Sequence, residues 1–317
     1  MTESHGEVFD LGYQHYDGPR EGRMRARKAL WVNGVRTTLG LGRGSRAKIL
    51  PVLLFVAAMS PAVILALLAS QLDQMIGPGI ELPGHAGYYR MISVILLLFS
   101  AIIAPELICP DRRNGVIHLY LVRPLTTTDY VAGRWLAFFS ITLAIVYSGQ
   151  VVLLIGLVLA AAEPLEYLGE TWLEIPRFLV AGLAVAFFTT TIPIAVSAFT
   201  TRRAYAAAFV IGLYIISAST AGVLTGCNDG DMGPPSSVGG AAGQCEPLAG
   251  DNAKWFALID IGQVPIHVSD LIFGEENESQ VPRLVRELPA IVPVGWYLLL
   301  TVVPGAALLW RYRSMRT

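Results

Sequence analysis

The stretch MISVILLLFSAIIAPELICPDRRNGVIHLYLVRPLTTTDY (residues 91–130) decides how the rest of the chain is read. Up to Ile108 it is apolar almost without interruption, with Glu106 near its edge. It then packs Asp111, Arg112 and Arg113 into consecutive positions, returns to Val116, Ile117, Leu119, Tyr120, Leu121 and Val122, and stops at Arg123-Pro124. A bilayer core about 30 Å thick needs roughly 20 apolar residues in a helix, so the first half predicts a short membrane span over 91–108. Pro110 suits the first turn of a new helix, Asp111 its positive end and Arg123 its negative end. The second half therefore predicts a short, strongly apolar helix outside the span. Taken alone, it reads as a helix resting in the headgroups.

Composition agrees with a chain built for lipid. Of 317 residues 54% are hydrophobic and only 15% charged, against about 25% charged in soluble domains, and the mean hydropathy is +0.54. A net charge of −1 excludes a globally basic nucleic-acid binder. The first 48 residues are polar and basic, with no short apolar core near Met1, so the first apolar run is expected to stay as a span and not to be cleaved.

Six runs have membrane length, near 49–70, 91–108, 130–162, 178–200, 204–225 and 291–310. A polar, Gly- and Pro-rich loop, 226–290, separates the last two. Cations precede the first span (Arg20 to Lys48), follow the second (Arg112, Arg113, Arg123, then Arg134), follow the fourth (Arg202, Arg203) and follow the sixth (Arg311, Arg313, Arg316). That places 18 of the 23 Lys and Arg on one side, while AEPLEYLGETWLEIP (162–176) puts four glutamates on the other. By the positive-inside rule both termini are expected in the cytoplasm. The expected architecture is an all-α integral membrane protein with six transmembrane helices in the cell membrane. Residues 1–48 form a cytoplasmic segment, 49–310 the six-span domain and 311–317 a cytoplasmic tail. Cys227 and Cys245 share the outer loop and can form a disulfide or remain two thiols; Cys109 is expected inside and reduced. The segment 254–274, KWFALIDIGQVPIHVSDLIFG, is apolar enough to fold back onto the outer membrane surface, as a cap or as plain packing.

Reactive groups are missing from the sequence. A P-loop needs Gly before Lys, but Lys28, Lys48 and Lys254 follow Arg27, Ala47 and Ala253. GLGRGSR (40–46) reads as a basic hinge. The five histidines, His5, His15, His85, His118 and His267, form no HExxH and no pair at metal-ligand spacing, and no nucleophile elbow occurs. The spans carry hydroxyls and amides, such as Gln150, Thr189, Thr190, Thr191, Ser197, Ser217 and Ser219, of the kind that bond neighbouring helices. No catalytic activity and no cofactor is expected in this chain.

With these residues on the page, the run PELICPDRRNGVIHLYLVRPLTTTDYVAGRW (105–135) resembles the permease subunit of ABC transporters of the ABC-2 type. The matching positions are Glu106, Asp111, Arg112, Gly115, Arg123, Pro124, Leu125, Tyr130 and Gly133. DLGYQHYDGPREG (10–22) and GLGRGSRAK (40–48) are similar to bacterial members, actinobacterial ones in particular. The resemblance implies that the first cytoplasmic loop is a coupling helix docking on a separate ATPase subunit that binds ATP and Mg. Ile117 and Leu121 would fill its groove, with Glu106, Asp111, Arg112, Arg113 and Arg123 around them. Glu106 is expected to bond helix ends or an arginine such as Arg134, or to stand solvated. GRMRARKALWVNGVRTTLGL (22–41) reads as an amphipathic helix, either the connecting helix of such permeases or an anionic-lipid anchor. Export by two permease copies, or by one copy with a related permease, together with two ATPases is the implied activity. The alternatives are a membrane component that matures extracytoplasmic proteins and, third, a secondary carrier.

Overall fold

The computed structural model describes residues 18, 22–42, 44, 46–75, 83–116, 125–226, 247–275 and 279–314. Ile117, Leu121, Arg123, Cys227 and Cys245 lie outside them, and with them the expected coupling helix and disulfide.

Among the described residues the regular elements are helical: α1 Gly22–Thr38, α2 Arg46–Met75, α3 His85–Arg113, α4 Thr127–Ala160, α5 Pro164–Thr171, α6 Glu174–Ser197 and α7 Arg203–Thr225. After α7 come the short α8 Ala253–Phe256 with a 3₁₀ turn on either side, α9 Val264–Phe273, α10 Gln280–Arg286 and α11 Ile291–Arg313. Six of them (α2, α3, α4, α6, α7 and α11) are long and apolar enough to cross a membrane. The chain is an all-α integral membrane protein.

Burial separates the six into a centre and a rim. In α3 and α6 the most apolar stretch is 61% and 67% buried, against 17–28% in the other four. Rim helices leave large apolar side chains exposed, such as Leu53 and Leu67 of α2, Ile216 of α7 and Val302 of α11, as a lipid-facing helix must. Small residues set the closest approaches. A Cβ on Gly156 of α4 would stand 2.1 Å from Ala66 Cβ of α2, so these backbones meet where neither bears bulk.

Two expectations need correction. The second span is not short: α3 runs 29 residues, from His85 through Pro105 and Pro110 to Arg113, about 43 Å of helix. Pro110 and Asp111 end this span and do not open a new helix. The charges that suggested its limits are paired: Arg90 with Asp270 at 2.9 Å and Glu275 at 3.3 Å, Glu106 with Arg203 at 2.9 Å. Burial raises the Glu275 carboxyl above its ordinary pKa, with Arg90 opposing the shift.

The second correction concerns 254–274. The segment does not lie flat on the bundle. Gly250–Ile259 and Val264–Phe273 meet at a bend of 102°, and α9 packs among α6, α3 and α11. Ile266, His267 and Ser269 are each at most 4% exposed. Alternating apolar and small polar residues let the helix bury nearly all round, which hydropathy alone does not distinguish from surface docking.

Candidate functional site: a charged junction at one end of the bundle

Five helix ends and α1 meet where the sequence concentrates its arginines. α3 arrives there and stops at a Schellman motif. Asn114 caps it, Gly115 adopts φ 65°, and Val116 N donates to Asp111 O at 3.0 Å while Gly115 N donates to Arg112 O at 3.4 Å. Glycine fits this position because a left-handed residue with a Cβ is strained. α4 leaves the same end through a capping box: the Thr126 hydroxyl accepts from Asp129 N at 3.3 Å, and Asp129 accepts from Thr126 N at 2.9 Å. The chain is thus closed off at the end of α3 and capped again at the start of α4.

Asp129 also grips α1. Its oxygens pair with Arg23 and Arg27, each at 2.6 Å, and only 7% of its side chain is exposed. Leu30, Gly34 and Thr38 are the buried face of α1. A Cβ on Gly34 would lie 2.5 Å from Ala137 Cβ, and one on Gly133 would lie 2.8 Å from Leu30. Trp31 donates its indole N–H to the Ser140 hydroxyl at 3.2 Å. The helix read either as a connecting helix or as a lipid anchor is docked along α4. Gly40, read as part of a basic hinge, has φ 67° just beyond α1, with Leu41 N donating to Arg36 O at 2.8 Å; it ends the helix.

Arg134, 2% exposed, donates to Asp111 Oδ2 at 2.5 Å, and the Tyr130 hydroxyl donates to the same oxygen at 2.8 Å. This joins α3 to α4. The expected pairing of Glu106 with Arg134 is replaced by Arg134–Asp111 and Glu106–Arg203, because Asp111 lies at the end of α3 level with the first turns of α4. Arg112 donates to the carbonyls of Ala198 and, at 3.3 Å, of Thr200. A cation on the open carbonyls of a helix C-terminus is favourable, and here it ties α3 to the end of α6. The thiol of Cys109 donates to Ser197 O at 3.7 Å. Tyr130 and Tyr312 bring in α11, with rings 5.5 Å apart. Arg113 is exposed.

Of the residues singled out in the sequence, Glu106, Asp111 and Arg112 thus lie together in this junction, each holding another helix of the same chain. Sequence reasoning missed Asp129, Arg23 and Arg27 as a unit, although Thr126-x-x-Asp129 is a capping-box pattern visible in TTTD. The span hydroxyls divide. Gln150 bonds His85 (2.5 Å to Nδ1, 3.0 Å to its carbonyl), and Thr191 accepts from Trp135 at 3.2 Å, both across helices. Thr189 and Ser197 bond carbonyls of their own helix.

Among the described residues no group of three or more metal-ligating side chains converges. The junction is a network of described side chains joining α1, α3, α4, α6, α7 and α11. No curated protein matches the chain in sequence. The family model described as ABC-2 family transporter protein matches residues 9–227, which takes in α1 to α7 and every junction residue but Tyr312. The chain belongs to the ABC-2 transporter family, as a membrane permease component of an ABC transporter.

Proposed function

We propose that this permease couples ATP hydrolysis in a separate ATPase subunit to export, with the segment 110–122 as the contact and both termini in the cytoplasm. The observation that supports this most is the bracing of that segment. It emerges from the Schellman end of α3 and enters the capped start of α4, and the charges at both points reach the other helices. A push on such a loop is delivered to the bundle and not absorbed locally. Arg112 and Asp111 serve this transmission from inside the chain, which leaves Ile117, Leu121 and Arg123 to meet the ATPase. ATP and Mg belong to that partner. A second permease copy, or a related chain, completes the pathway, since the exposed apolar faces of the rim helices leave room for one.

The test places a charge on the apolar face of the segment. Ile117→Asp and Leu121→Asp, made singly, should insert normally and lose ATPase co-purification or ATP-driven transport, because burying an unpaired charge costs several kcal/mol. Wild-type assembly and activity in both variants would leave a helix resting in lipid and end the docking reading. ATPase stimulation by a transported solute supports export; stimulation only by an extracytoplasmic protein supports the maturation reading instead.

A further inference from the structure

The turn from α6 to α7 carries two features that the junction does not use. One is a cleft of about 710 Å³ lined by Pro110, Arg113, Asn114, Arg202 and Arg203. The other is an apolar groove of about 330 Å³ on the same corner, lined by Val196, Phe199, Thr200, Tyr205, Ala206 and Phe209. Residues 199–206 run from one to the other and back, so the two share one short piece of backbone.

The cleft has excess positive charge. Arg113, Arg202 and Arg203 line it, and of these Arg203 pairs with the carboxylate of Glu106. Arg202 is steadied by Tyr205, donating to its hydroxyl at 3.1 Å with the guanidinium 5.3 Å from the ring centre. α7 begins at this point without a side-chain cap, which leaves first-turn N–H groups for an anion. Beside the cleft, Phe199, Tyr205 and Phe209 are 53%, 61% and 60% exposed. Rings this open next to guanidinium groups at the end of membrane spans match an amphipathic ligand, with one charged end and one apolar tail.

We propose that this corner binds one anionic phospholipid of the adjacent leaflet. Its phosphate sits on Arg113, Arg202 and Arg203, and the upper part of one acyl chain runs along Phe199, Tyr205 and Phe209. A free phosphate would use the cleft and leave the groove idle; the pairing of the two favours the lipid. The site touches Arg112 and the end of α6, so an occupied corner fastens α3, α6 and α7 together. The proposal holds whichever face of the membrane this end occupies.

Native mass spectrometry of the purified protein, with dioleoyl phosphatidylglycerol and dioleoyl phosphatidylcholine as competing probes, tests it. Wild type should retain one phosphatidylglycerol in preference to phosphatidylcholine. In the double variant Arg113→Gln, Arg202→Gln that preference should fall about thirtyfold, the loss expected for two cations beside an anionic headgroup. Phe209→Ser should reduce retention while leaving the arginines in place, and Arg177→Gln at the opposite end should change nothing. Because Arg113, Arg202 and Phe209 are exposed, folding is not at stake, and an unchanged gel-filtration profile checks this. Displacement of the lipid by millimolar inorganic phosphate, or insensitivity to Phe209→Ser, would make this a free-anion site and overturn the proposal. An unchanged lipid preference in the double variant would overturn it as well, including when ATPase binding is lost, because the arginines would then serve the partner protein.

Discussion

Replacing Asp129 with alanine should loosen α1 from the bundle without unfolding the spans. The carboxylate closes the capping box of α4, a contribution of about 1 kcal/mol. It also pairs with Arg23 and Arg27, whose side chains are 46% and 45% exposed, so each pair is worth only about 0.5 kcal/mol after solvent screening. The cap acts within α4 whether or not α1 is docked, so only the two pairs count against docking: about 1 kcal/mol, roughly fivefold in the ratio of docked to undocked α1. The buried Leu30 and the close contact of Gly34 with Ala137 remain, so α1 opens more often but stays associated. Hydrogen–deuterium exchange in detergent micelles should show amides near Leu30 and Gly34 exchanging about fivefold faster, with α6 unchanged. The double variant Arg23→Gln, Arg27→Gln keeps the cap and should give the same factor, from roughly 1 kcal/mol. If α1 exchanges at the wild-type rate in Asp129→Ala, the carboxylate does not hold it, and the clasp is not what docks this helix.

Gly156→Leu should lower the melting temperature in detergent, since even a Cβ would meet Ala66 at 2.1 Å and overpacking costs about 1–3 kcal/mol; an unchanged melt would show that α2 and α4 do not approach so closely. Single cysteines at Glu170 and Gly250, in a background lacking Cys227 and Cys245, should react with impermeant thiol reagents from outside, and labelling only after lysis reverses the orientation. Peptides containing Cys227 and Cys245 should be found linked under non-reducing conditions, with reduction costing about 3 kcal/mol in the chain-entropy model; free alkylation of both before reduction rules out the bridge.

Membrane spans were legible because a run of about 20 apolar residues has few other uses, and each expected run corresponds to one of the six long helices. The ends of those helices were harder to read. Asp111 was read as opening a new helix, yet it belongs to the end of α3 and its partner Arg134 lies 23 residues away. Arg90, in the first turns of the same helix, is 180 residues from its partner Asp270. Nothing local announces such pairs. Thr126 and Asp129 are the reverse case: their pattern was local, and the clasp on Arg23 and Arg27 was not. The 254–274 segment was read as apolar, as a cap or as plain packing; its place among α3, α6 and α11 was not legible, since composition reports how much a helix can bury and not where the neighbours leave space.

The α3–α6 pair has a consequence for movement. At one end Arg112 holds the Ala198 carbonyl and Cys109 the Ser197 carbonyl. At the other the Tyr89 hydroxyl donates to Phe178 O at 2.6 Å, and His85 stacks on Phe178 at 5.2 Å. A beam pinned to its neighbour at both ends cannot slide or rotate against it without breaking a pin. The two helices therefore form a single rigid lever of about 43 Å. At the far face Arg90 grips Asp270 and so links α9 to the same pair.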